Sequence, residues 1–136
     1  MKRKSRSELF LLELIIVISV FAISAAACTS VLARAYVTSR ESRELDFAVR
    51  SARSCTELMK AWHGDTDKCA EILGGRSESG TLTVYYDGEM AVTAEENAAY
   101  SMTAALNDGC RFTVSVSGKN GEIYSIESAL AKEAAQ

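Results

Sequence analysis

Few side chains in this sequence have types and spacing that could do chemistry, and Glu13 is the most informative of them. It lies in an otherwise unbroken apolar run, Leu9 to Ala33, of about 25 residues that reads LFLLELIIVISVFAISAAACTSVLA. The basic residues Lys2, Arg3, Lys4 and Arg6 stand directly before it. A carboxylate at the centre of a membrane helix costs about 2.5–3.5 kcal/mol on insertion scales. It costs less near the end of a span, but it needs a partner in either place. The chemistry open to Glu13 is therefore pairing with a cation or a donor. Four cysteines follow: Cys28, Cys55, Cys69 and Cys110. Cys28 falls inside the run and reads as a small buried residue. The other three fall beyond it and permit one disulfide with one thiol left over, Cys69 bonding either Cys55 or Cys110. His63 is the only histidine. With Asp65, Cys55 and Cys69 it matches no zinc spacing, so no metal is expected and His63 reads as a surface residue at a helix end. No Ser/His/Asp set, phosphate loop or pair of carboxylates at catalytic spacing occurs. Glu95-Glu96 reads as a solvated loop or a single helical turn, and Tyr85, Tyr86, Tyr100 and Tyr124 as sheet packing. Neither an enzyme nor a cofactor is expected.

These residues must be positioned by a small number of elements. At 136 residues, the chain leaves about 100 beyond the apolar run, enough for one small domain. The run itself makes about 37 Å of helix, long enough to span a bilayer with some tilt. The helical pattern continues past it: Leu45, Ala48, Ala52, Cys55, Met59 and Trp62 recur at spacings of three and four, with Val49 beside them, as one apolar stripe. No Gly or Pro interrupts Leu9–Trp62. One helix of about 55 residues, roughly 80 Å, is the economical reading, with Gly64 at its C-terminal cap. A short second helix is predicted over Asp67–Leu73, capped by Thr66 or Asp65 and ended by Gly74-Gly75. Residues 76–80 read as a loop. The period then changes to two. Leu82, Val84 and Tyr86 alternate with Thr81, Thr83 and Tyr85. Tyr100, Met102, Ala104 and Leu106 form a second alternating set, Phe112, Val114 and Val116 a third, and Glu122–Ala129 a fourth. Asp87-Gly88, Asn107-Asp108-Gly109 and Gly118–Gly121 are the turns between them. The fold class expected is α+β: a long N-terminal helix, transmembrane and then amphipathic, packed on an antiparallel sheet of three to four strands. The stripe is the long apolar surface available to cover one face of that sheet. Residues 131–136 read as a frayed tail.

Charge gives the orientation. The net charge of −3 hides four Lys/Arg against one Glu in residues 1–8, and 11 Lys/Arg against 16 Asp/Glu in residues 34–136. A basic start before an acidic remainder predicts a cytoplasmic N-terminus and an extracytoplasmic C-terminus. Three segments follow: a basic leader (1–8), a membrane part of the helix (9–33) and an exported domain (34–136). With no basic patch interleaved with aromatics, nucleic-acid binding is not expected.

The segment Leu9-Phe10-Leu11-Leu12-Glu13-Leu14-Ile15-Ile16-Val17-Ile18 resembles the mature start of type IV pilins and type II secretion pseudopilins, which reads like F-T-L-I-E-L-L-I-V-I behind a short basic leader. Aligned on the glutamate, Leu9 becomes the first mature residue and Glu8 the residue before the cut. The resemblance covers about 50 residues by motif and helix length, and the rest by architecture. It departs at three places: Glu8 where the family has the glycine read by the prepilin peptidase, Leu9 where phenylalanine is usual, and no proline along the helix. The resemblance implies a filament subunit whose apolar helices leave the bilayer and pack side by side. It implies cleavage between Glu8 and Leu9 with methylation of the new amine, and pairing of Glu13 with such an amine on a neighbouring subunit. A buried pair of that kind sets register more than it adds stability. The implied partners are other pilin or pseudopilin subunits, the prepilin peptidase, an inner-membrane assembly platform and membrane lipid. The departures and the short exported domain favour a pseudopilin or minor pilin over a major subunit. A membrane-anchored or lipidated extracellular binding module is the alternative. Ala25-Ala26-Ala27-Cys28 would be its lipidation signal, although leucine is usual three residues before the cysteine.

Overall fold

The computed structural model describes residues 5–131, so Lys2, Arg3, Lys4 and nearly all of the expected frayed tail lie outside the described residues. Helix α1 runs Arg6–Ala61 without a break, as the absence of Gly and Pro from this stretch allows. The chain divides into two units, one ending at Glu41 and one beginning at Ser42, so α1 contributes to both. In the first unit the described residues are helical from Arg6 onward, and every one of them, together with Ser42 and Arg43, is exposed.

The second unit is an α+β domain. Its part of α1 is followed by α2 (Thr66–Leu73) and strands β1 (Arg76–Glu78), β2 (Thr81–Tyr86), β3 (Tyr100–Leu106), β4 (Arg111–Gly118) and β5 (Gly121–Ala129). The strands form one antiparallel sheet in chain order, a meander. The expected α+β class is what the structure shows, with five strands among the described residues in place of three to four. The added strand is β1, in the stretch read as a loop. Ser79 (φ 50°) and Gly80 (φ 79°) both take left-handed backbone, the pattern of a two-residue type I′ hairpin. That turn pairs Glu78 with Thr81 and Arg76 with Thr83. β1 carries no apolar residue, so periodicity could not reveal it.

Alternation places Leu82, Val84, Tyr86, Tyr100, Met102, Ala104, Phe112, Val114 and Val116 on the covered face of the sheet. The register stacks Leu82, Ala104, Val114 and Ile126 across β2–β5 in one row, and Val84, Met102, Val116 and Tyr124 in the next. Ala48, Ala52, Cys55, Thr56 and Met59 of α1 are buried over this face. The covering stripe is shorter than its sequence pattern: Leu45 is 47% and Trp62 42% exposed. Both lie at the ends of the segment that meets the sheet. Thr56, outside the predicted stripe, is buried because its hydroxyl donates to the Ala52 carbonyl at 2.7 Å and so needs no water.

The upper end of this segment is fixed by aromatic and polar contacts. The Phe47 ring meets Tyr86 edge-on at 5.0 Å and Tyr100 at 5.8 Å. The Tyr100 hydroxyl donates to Glu44 Oε1 at 3.0 Å. The lower end is closed by Gly64, whose N–H donates to the Met59 carbonyl at 2.8 Å. Asp65 then caps α2 by accepting from the Lys68 N–H, and Gly74 (φ 73°) ends it with an N–H to the Ala70 carbonyl. α2 is tied to β1 where the Ser77 hydroxyl donates to the Thr66 hydroxyl at 2.8 Å.

Candidate functional site

The residues singled out in the sequence fall in different places. Glu13 lies on α1 in the first unit, amid exposed apolar side chains that include Phe10 (64% exposed), Leu14 (45%) and Val17 (59%). Among the described residues, no hydrogen bond or ion pair within the chain reaches it. The hydroxyls of the same stretch are provided for locally. Ser19 donates to the Ile15 carbonyl, Ser24 to Val20, Thr29 to Ala25 and Ser30 to Ala27, at 2.7–2.9 Å. These bonds let Ser and Thr sit in an apolar environment without a water partner. Glu13 has no equivalent local solution, because a carboxylate cannot donate to the helix carbonyls around it. α1 is long and apolar enough to cross a membrane, and Glu13 is the acid that such a crossing would have to accommodate.

Glu8 and Leu9 lie in the first turn of α1. Ser5 caps this end: its hydroxyl oxygen accepts from the Ser7 N–H at 3.2 Å, and its carbonyl accepts from the Glu8 N–H at 2.9 Å. The run Ser5-Arg6-Ser7-Glu8 has the form of a capping box. Glu8 thus sits where an acid favours the positive end of the helix dipole. This S-x-x-E signal marks a helix start within the segment that the family resemblance assigns to the leader.

The cysteines separate into two classes. Cys28 and Cys110 are exposed; Cys55 and Cys69 are buried, and all four are thiols in this structure. Burial pushes the Cys55 thiol up to about 12, and the neighbouring Cys69 adds to this. The Cys69 thiol is raised by burial and then by the Asp65 carboxylate. Burial also raises Tyr86, against a hydrogen bond with Ser51 that pulls the other way. Both low-dielectric surroundings and a nearby negative charge disfavour the thiolate, so the buried cysteines of the folded domain are poor nucleophiles.

His63 is exposed at the end of α1, with left-handed backbone at φ 51°. Among the described residues no group of three or more His, Cys, Asp or Glu side chains comes together to hold a metal ion. Glu95 and Glu96 are exposed in a single 3-10 turn, Glu95–Asn97. The ion pairs Arg50–Asp46 (3.0 Å), Lys68–Asp65 (3.7 Å) and Arg111–Glu127 (3.8 Å) are all exposed and contribute little. The geometry therefore gathers no reactive constellation around any of these residues. What stands out is one acid on an exposed apolar helix. No protein-family model matches this chain, and no curated protein or solved structure matches it either.

Proposed function

We propose that this chain is a pilin-like structural subunit, held in the membrane by α1 and assembling through the same helix into a type IV pilus or a secretion pseudopilus. The observation that carries this reading is Glu13, a carboxylate with no partner among the described residues of its own chain, on an exposed apolar stretch of the helix that also supplies the spine of the α+β domain. An anchor needs only the apolar run. A recognition helix needs in addition a group that distinguishes one axial position of a neighbour from the next, and an unpaired carboxylate in a low-dielectric setting does this strongly. The partner proposed for it is a cationic amine on an adjacent subunit. The partner proteins are other pilin or pseudopilin subunits, delivered by an inner-membrane assembly platform. Processing at Glu8–Leu9 with methylation of Leu9 belongs to the same proposal.

The test is Glu13→Ala, with Glu13→Gln beside it. Both variants should reach the membrane at normal levels, and both should be lost from filaments sheared from the cell surface or cross-linked in the envelope. Incorporation of the alanine variant at the wild-type level would defeat the proposal and favour an anchored binding module, for which Glu13 is dispensable. Mass spectrometry of the protein's N-terminus complements it: methylated Leu9 marks a processed pilin-like subunit, and lipidated Cys28 marks the anchored module.

A further inference from the structure

Assembly through α1 makes no use of the cysteines of the α+β domain. Cys55 and Cys69 are fully buried in one apolar cluster, each on a different helix, and the helices are joined only by the short turn between Ala61 and Thr66. A negative charge on Cys69 would push the Cys55 thiol higher still, beyond the effect of its burial. Cys110, the third thiol of the domain, is exposed in the turn between β3 and β4. We propose that Cys55 and Cys69 are joined by an intramolecular disulfide in the exported protein, with Cys110 left as a free thiol. The sequence left open which cysteine pairs with Cys69. Burial in a shared cluster selects Cys55.

The proposal rests on the reading that the domain is exported, since a stable disulfide belongs to an oxidising compartment. Oxidation precedes burial. In the newly exported, still unpacked chain one thiolate attacks a sulfur of a protein disulfide oxidant and forms a mixed disulfide. The second thiolate then displaces the oxidant's sulfur, which leaves as a thiolate. Two electrons pass to the oxidant, and the two cysteines lose one proton each. Packing of α2 over β2 then shields the new bond from reductants. The bond would close the segment 55–69 and tie α2, with β1 attached through Ser77 and Thr66, to the α1 spine. The exposed Cys110 would remain available to thiol reagents.

The experiment uses the full-length protein in its own cells, with Cys28→Ala to remove the thiol of the apolar run. Intact cells are treated with a membrane-impermeant maleimide. The protein is then denatured, blocked with N-ethylmaleimide without reductant, and digested with trypsin. The expected result is maleimide on Cys110 from outside the cell and peptide 54–60 linked to peptide 69–76, the link vanishing on reduction. Cys110 labelled from outside with Cys55 and Cys69 both blocked as free thiols would overturn the disulfide and leave export standing. A link between peptides 69–76 and 77–111 would overturn this pairing. Labelling of Cys110 only after lysis would overturn the export reading, and with it the disulfide.

Discussion

Replacing Gly75 with alanine tests the packing of α2 onto the sheet and opposes the usual effect of that change. Gly75 joins α2 to β1, and its N–H donates to the Ala70 carbonyl at 2.9 Å. A Cβ at this position would lie 2.5 Å from the Thr83 carbonyl oxygen and 2.6 Å from Val84 Cγ2. The valine methyl can rotate away. The carbonyl cannot, because Thr83 is paired with Arg76 on one side and Thr103 on the other. Forcing such an atom into a packed site costs about 1–3 kcal/mol. The unfolded chain becomes stiffer when glycine is replaced, which returns about 0.4–1 kcal/mol. The net expectation is a loss of about 1–2 kcal/mol, a five- to thirtyfold shift toward the unfolded state. Gly88 supplies the control. Its Cβ would meet nothing within 4 Å, and its φ is not in the left-handed region. Gly88→Ala should therefore stabilise by about 0.4–1 kcal/mol. Both changes can be read by urea unfolding of the full-length protein in detergent, followed by the fluorescence of Trp62, the only tryptophan. Equal effects of the two substitutions, or a Gly75→Ala protein as stable as the wild type, would refute the steric argument.

Other outcomes follow from the same structure. Phe47→Leu removes two ring contacts while keeping an apolar side chain, and should cost about 1–3 kcal/mol; in a double-mutant cycle with Tyr86→Leu the two losses should fall short of additive. Asp65→Ala removes the cap of α2 and should cost about 1 kcal/mol in the urea midpoint analysis. With its thiols held reduced, the domain should lose stability in alkali. The unfolded Cys55 ionises near 9.0 and the folded one near 12, so the unfolded chain binds fewer protons between these values. Stability is then complete below about pH 9 and falls toward pH 12 by up to roughly 1.4 kcal/mol per pH unit. Cys69 and Tyr86 act in the same direction. Circular dichroism during alkaline titration checks this, and a protein oxidised at Cys55 and Cys69 should lack the cysteine part of the fall.

Most of the architecture was legible because the signals were periodic and uninterrupted. α1 was expected over Leu9–Trp62 and spans Arg6–Ala61, and α2 differs from expectation by one residue at its start. The covered faces of β2, β3 and β4 were read directly from alternation, which is reliable where one face is apolar. β1 was not legible, since a three-residue polar strand is defined by its turn and its neighbour and not by its own sequence. The ends of the apolar stripe were overestimated at Leu45 and Trp62 because periodicity shows which face is apolar, not how far the covering sheet extends. Of the candidate site, Glu13 and its surroundings were plain in the sequence. Among the cysteines, the burial of Cys55 followed from its place in the apolar stripe, whereas the burial of Cys69 did not, because it depends on how the short α2 packs against the sheet.

The bonds that Ser19, Ser24, Thr29 and Ser30 make to their own helix have a mechanical consequence. Each hydroxyl proton is already spent inside the cylinder, so these positions give a neighbouring helix or a lipid tail no strong handle. Such a surface is smooth to sliding and rotation: displacing a neighbour along it exchanges one set of dispersion contacts for a nearly equal one. Glu13 alone breaks that indifference, as a single tooth on an otherwise polished rod. Under the proposed assembly, removing the tooth leaves the apolar contacts of the helix but no preferred axial step, which is the loss that would keep Glu13→Ala out of filaments.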